Sequence, residues 1–254
     1  GKAFEKEPRR PFDEDELRAF FEAAEALDNE RRAYMAAETT IHGGTKSKTW
    51  NASKRPLYIP QAPLLRAFAF TGGRFGEAVQ TTWADWSERS RTLTLRAETT
   101  KSKKARRIPL HTVVEADLRL LRDLHARGYG RAPKPIEPIF LSPSGHELID
   151  ARENVTRFLN DALERAGIEK VCKKRGRLTI HSLRHSFASM LARAGAGLTQ
   201  AQALLGHSTP ELTAVVYTHH SDDDLRIAVD KLDAAVMPPI EAPPSTRLPW
   251  RGTA

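Results

Sequence analysis

Two short stretches carry the residues whose types and spacing can do chemistry. In HSLRHSFASML, residues 181–191, His181, Arg184 and His185 stand at i, i+3 and i+4, so a helix puts all three on one face. In LGHSTPELTAVVYTHH, residues 205–220, three histidines (His207, His219 and His220) surround Tyr217 in a chain with nine histidines and four tyrosines. A histidine pair one helical turn apart can hold zinc, so metal is the first chemistry to weigh. Against it, Ser182 stands where an HExxH zinc site has its glutamate. Arg184 also sets a permanent cation between the would-be ligands. The same arginine suits a phosphate, because its planar fork matches two phosphate oxygens. No metal or other cofactor is expected.

The rest of the chain must position these groups. Asp13 followed by Glu16 reads as a helix cap with its capping partner, and Leu17, Phe20, Phe21, Ala24 and Leu27 recur at helical spacing after it. Residues 39–60 are polar and glycine-rich and read as a long loop. A helix over 63–70 runs into TGGRFGEA, whose glycines allow a tight break before a short helix through Val79. TLTLRAE and ARRIPL alternate around TTKSKK, which predicts a β-hairpin with lysines at its tip. Helices follow over 113–124 and through Val155, Phe158, Leu159, Ala162 and Leu163, then several short ones from His181 onward, separated at Gly195 and Gly206. The tail from 237 to 254 is proline-rich. The fold expected is mostly α with one small antiparallel β-sheet (α+β).

Charge points to the partner. The chain of 254 residues carries a net +8, and the excess is clustered in KSKKARR (101–107) and KVCKKRGR (170–177). Clustered cations favour a polyanion, most simply nucleic acid, because each neutralised phosphate releases counterions. Lys103, Lys104, Arg106, Lys173, Lys174, Arg175 and Arg177 are the expected nucleic-acid contacts. No apolar run approaches the ~20 residues of a membrane span, and the first residues lack the apolar core of a signal peptide. One cysteine, Cys172, excludes an internal disulfide and fits a reducing compartment such as the cytoplasm.

These boxes, in this order, resemble the catalytic domain of the tyrosine recombinase, or phage integrase, family. TGGRFGE is similar to the family's first box, with Arg74 and Glu77; TKSKKARRIPL to its lysine hairpin; HSLRH, LLGH and VVYTH to its remaining three. The resemblance spans roughly residues 11–233, and five weak motifs in order carry it together. It implies a site-specific recombinase that cuts and rejoins double-stranded DNA at a specific site through a 3′-phosphotyrosyl intermediate. Arg74 and Arg184 would hold the non-bridging oxygens and His207 would donate to the same phosphate. His181 would accept the proton of the nucleophile, Tyr217. Residue types alone leave Lys101, Lys103 and Lys104 open as general acid; the family's spacing to Pro109 points to Lys101. Glu77 would orient the arginines, and His185 would support them from behind.

The resemblance further implies a catalytic domain over 1–236 with an insertion at 39–60 and the tail at 237–254. The family's N-terminal DNA-gripping domain is not expected within these residues. It also implies a monomer that assembles as a tetramer on DNA by passing the segment 222–236 to a neighbouring subunit, in a prokaryotic, phage or mobile-element setting. Rival readings are a type IB topoisomerase, a zinc-dependent hydrolase and a DNA-binding module without catalysis.

Overall fold

The computed structural model describes residues 8–41, 58–99, 104–148 and 152–206, with backbone alone over 36–41. All of them belong to one compact unit, Gly1–Tyr217. Helix α1 (Glu14–Ile41) begins where the cap was expected. The Glu16 N–H donates to Asp13 Oδ1 at 2.8 Å, and the Asp13 N–H to Glu16 Oε2 at 3.2 Å. Its end corrects the sequence reading, since the helix runs two residues past Thr39, where the loop was expected to start. The apolar repeat fades after Leu27, but ERRAYMAAE consists of helix-tolerant residues without glycine or proline. Ion pairs hold this part instead: Arg31 to Asp161 and Arg165 to Glu30, both reaching α5 (Arg152–Arg165). Of the rest of the expected loop, 42–57 lies outside the described residues and 58–60 is buried chain without helix or strand.

Helix α2 (Ala62–Thr71) is the central element, with nearly every side chain buried. Asp28 of α1 caps it, accepting from the Tyr58 hydroxyl at 2.7 Å and from the Gln61 and Ala62 N–H groups. Its one interior charge, Arg66, is neutralised by Asp117 of α4 (Thr112–Tyr129) at 2.6 Å, with Glu25 on its other side. Packing α2 on α6 (Ile180–Arg193) joins two of the motifs singled out above. Gly72 then turns the chain with φ +62°, and α3 (Phe75–Val79) follows.

The sheet is antiparallel in the order β1 (Trp86–Ser87), β2 (Thr92–Leu95), β3 (Arg106–Pro109). Leu93 faces Ile108 and Leu95 faces Arg106 across β2 and β3. Leu93, Leu95 and Ile108 are buried, as alternation requires. The same alternation turns Arg106 inward, not outward with the basic run. The hairpin's tip, including Lys101 and Lys103, lies outside the described residues. The second basic run hides a hairpin that its lysines and arginines concealed from sequence reading, β4 (Val171–Cys172) with β5 (Gly176–Arg177). Helix α7 (Leu198–Leu205) closes the described chain, packed on α6 and β3.

Candidate active site

Arg74 is the N-cap of α3, with extended backbone (φ −73°, ψ 157°) and a partly exposed side chain. It is held by Glu77, three residues on and 1% exposed. Glu77 Oε1 accepts from Arg74 Nη1 at 2.8 Å, and Glu77 Oε2 accepts the Arg74 backbone N–H at 2.9 Å. Oε2 also accepts from Arg106 Nη2 at 2.6 Å. Burial alone would raise the Glu77 pKa, but the bonds from Arg106 and Arg74 hold the carboxyl below its ordinary range. Glu77 thus orients Arg74 and Arg106 by direct bonds, whereas Arg184 takes its direct bonds elsewhere.

Arg184 is 3% exposed and spans the seam between two other motifs. Its Nη1 donates to the Gly72 carbonyl, two residues before Arg74, and its Nη2 to the Leu205 carbonyl at 2.6 Å, two residues before His207. Each acceptor lies at a turn made by a positive-φ glycine, Gly72 itself and Gly206 after Leu205, where a side chain would be strained. Gly206 has φ +63°, and a Cβ there would sit 2.7 Å from Arg106 Nη1. A Cβ on Gly72 would sit 2.5 Å from Phe187 of α6. Three guanidinium groups therefore gather around one carboxylate. Burial first, then the charges of Arg74 and Arg106, bring the Arg184 pKa down to about 9, with Glu77 opposing; it stays charged at neutral pH. Two donors of Arg106, Nε and Nη1, are buried without an acceptor. Such a field is built to receive an anion.

His181 lies one turn before Arg184 on α6, its ring edge-on to His185 with centroids 4.9 Å apart. Burial, then the charges of His185, Arg184, Arg9 and Arg74, push its pKa down to about 4. At neutral pH it is an uncharged imidazole, able to take a proton. Burial, then the charges of Arg184 and Arg9, lower His185 as well. Lys101, His207 and Tyr217 lie outside the described residues.

The expected DNA contacts divide. Lys104, Lys173 and Lys174 are exposed. Arg175 is engaged with Asp13 and Glu16 at 3.2 and 2.9 Å. Arg177 is half-buried and its backbone pairs with Arg9. Arg106 is a correction. Its guanidinium lies inside, against Glu77 and under Gly206, and the signal was legible because ARRIPL puts residues 106 and 108 on one face of the strand. Arg9 and Arg152, near this site, carried no sequence signal at all.

A profile of the phage integrase family matches residues 47–224. Tyrosine recombinase XerD of Corynebacterium glutamicum is 32% identical over 173 residues, covering 67% of this chain and 52% of the relative. XerD of Mycobacterium tuberculosis is 34% identical over 168 residues, covering 64% of this chain and 49% of the relative. The chain thus spans about half the length of the curated relatives it matches. Among solved structures, XerA recombinase aligns with a TM-score of 0.58 at 20% identity, over 94% of this chain and 67% of that one. XerH bound to palindromic difH substrate, a post-cleavage complex, gives 0.57 at 20%, over 88% and 53%. A lambda integrase dimer bound to a COC′ core site gives 0.54 at 18%, over 85% and 62%. At these identities the likeness establishes the shared fold, mostly helical with small antiparallel sheets.

Proposed function

Since the chain belongs to the phage integrase family, we propose that it is a site-specific DNA recombinase that cuts and rejoins strands through a phosphotyrosyl intermediate. The Tyr217 oxygen attacks the scissile phosphorus and forms the Tyr–O–P bond as the bond to the 5′-oxygen breaks. His181 takes the tyrosine proton and Lys101 gives one to the 5′-oxygen. Arg74, Arg184 and His207 hold the non-bridging oxygens, whose negative charge would otherwise repel the nucleophile. A second strand's 5′-hydroxyl reverses these steps, so the bond energy is conserved and neither ATP nor metal enters.

One observation carries the reading: buried Arg184 bonds the carbonyls of Gly72 and Leu205, which ties the Arg74, His181 and His207 motifs into one cationic, anion-binding site. Neutral His181 and the carboxylate strap of Glu77 support it. Relatives named as tyrosine recombinases, and the structure of XerH recombinase in a post-cleavage complex with its difH substrate, point the same way. On this reading the catalytic domain covers 1–236. It works in the cytoplasm on a specific duplex site, monomeric when free and tetrameric on DNA. Among the described residues no helix is long and apolar enough to cross a membrane.

The test starts from the protein's own recombination junctions, found by sequencing. A duplex nicked beside the cleavage point loses its 5′-end on attack, so the enzyme is trapped. Wild type should give a DNA adduct that resists denaturant, and Tyr217→Phe should bind the duplex yet form none. Undiminished adduct in Tyr217→Phe would reject the assignment. Strand exchange between two duplexes separates recombination from simple relaxation.

A further inference from the structure

Beside His181 lies a cavity of about 390 Å³ that the reaction above does not use. Four cations line it, Arg9, Arg152, Lys170 and Arg177, and no carboxylate does. They come from distant points of the sequence: the N-terminal arm, the first residue of α5, the approach to β4, and β5. Elsewhere an arginine commonly meets a carboxylate, as Arg10, Arg66, Arg119 and Arg165 do. Among the described residues, these four have no such partner.

Like charges converging on one concavity repel, and a bound anion relieves that repulsion. Two further details aim the site. The Arg177 Nε–H is buried without an acceptor. The cavity wall also includes Ile180, the first residue of α6, whose positive dipole end adds to the field. The cavity is electrically continuous with the candidate active site. Arg9 helps lower the pKa of His181, and the Arg152 guanidinium lies 5.4 Å over the ring of Phe75, the residue after Arg74.

Resting on the DNA-cleaving function above, we propose that this cavity receives a backbone phosphate flanking the scissile one. Phosphate contacts fix register without reading sequence. Because His181 lines the cavity and also faces the reacting phosphate, a flanking phosphate seated there sets the strand's register at the point of attack. Arg9, Arg152, Lys170 and Arg177 are positioning residues in this account.

The test measures binding of mixed-sequence duplex DNA by fluorescence anisotropy over a salt series, using the full chain. Arg152→Gln with Lys170→Gln removes two exposed cations from the cavity. Arg157→Gln with Lys134→Gln removes the same charge from exposed positions outside it. The plot of log affinity against log salt should become shallower by about 0.9, one phosphate's worth, in the cavity variant and stay unchanged in the control. Equal slopes for wild type and cavity variant overturn the proposal, as does an equal change in the control. A parallel titration uses inorganic phosphate. Saturable binding that needs Arg152 and Lys170 but leaves DNA affinity untouched assigns the cavity to a free phosphate and overturns the DNA assignment. A Tyr217 adduct alongside an unchanged salt slope removes the cavity proposal alone, whereas no DNA binding by the full chain removes both.

Discussion

Tyrosine ionises near pH 10, so a tyrosine nucleophile at neutral pH depends on neighbours that take its proton and balance its charge. On the proposed reading His181 has the first task. A pKa of about 4 leaves it free of a proton at neutral pH but also makes it a weak base, so the arginines that balance the tyrosine's charge matter as much. That depression has a signed consequence for stability. Between pH 6.5 and about 4 the unfolded chain binds a proton at this residue that the folded chain refuses, so stability is lost as pH falls through that window. The share is of order 2 kcal/mol. His181→Asn should flatten the decline of melting temperature in that range. A residual decline should persist, because burial also lowers His125 and His185. An unchanged decline in His181→Asn would mean that His181 titrates normally. At the other end of the reaction, Lys101→Ala should slow cleavage strongly on ordinary DNA. A substrate with sulfur at the 5′-bridging position leaves without protonation, so the variant should cleave it at nearly the wild-type rate. Absence of that rescue transfers the acid role to Lys103 or Lys104.

At the level of elements, the site is a set of straps between short pieces. Glu77 of α3 binds the α3 cap and β3 together, and Arg184 of α6 binds the turn after α2 to the end of α7. Glu77→Gln leaves two arginines without their counter-charge and should destabilise the fold by about 3 kcal/mol, with a larger relative loss of cleavage. Adding Arg106→Met to Glu77→Gln removes the stranded cation along with its partner. Calorimetry should then find the pair less destabilised than the sum of the single changes. Additive losses would mean the two side chains do not act as a unit. Which of these elements sequence could reveal follows from the forces behind each. The helices α4 and α5 and the strands β2 and β3 announce themselves because their buried faces repeat with the period of the element, whereas α2, buried on all sides, reads as a nearly continuous apolar run. The second half of α1 does not, since ion pairs to α5 replace apolar burial there. The β4–β5 hairpin is two residues a side and written in lysine and arginine, so no alternation marks it. In the site, Arg74, Glu77, His181 and Arg184 were legible as motif letters. The backbone carbonyls that Arg184 grips were not, because a carbonyl carries no residue identity.

The molecule as a whole, on the proposed reading, must assemble with copies of itself before strands can be exchanged. After Tyr217 the sequence offers Ser221 as a cap, three aspartates in the first turn, and an apolar stripe of Leu225, Ala228, Val229 and Leu232. The segment 222–236 lies outside the described residues, and its proposed role is to dock on a neighbouring subunit when DNA is bound. Deleting the chain from Asp222 onward should preserve single-site DNA binding and abolish complexes holding two duplexes; light scattering that finds normal tetramers without it would reject the role. Within the described unit, Arg184 reaches back 112 residues to Gly72 and forward 21 to Leu205. These spans set an order of events during synthesis. An emerging chain carries its Arg74 box long before Arg184 leaves the ribosome, and the Leu205 carbonyl arrives later still. A partly made or partly opened chain can pair Arg74 and Arg106 through Glu77, but it lacks the third cation and the strap that Arg184 supplies. On the proposed reading, the long reach of one side chain is an interlock on a hazardous activity: a protein that cuts DNA would be armed only when its fold is whole.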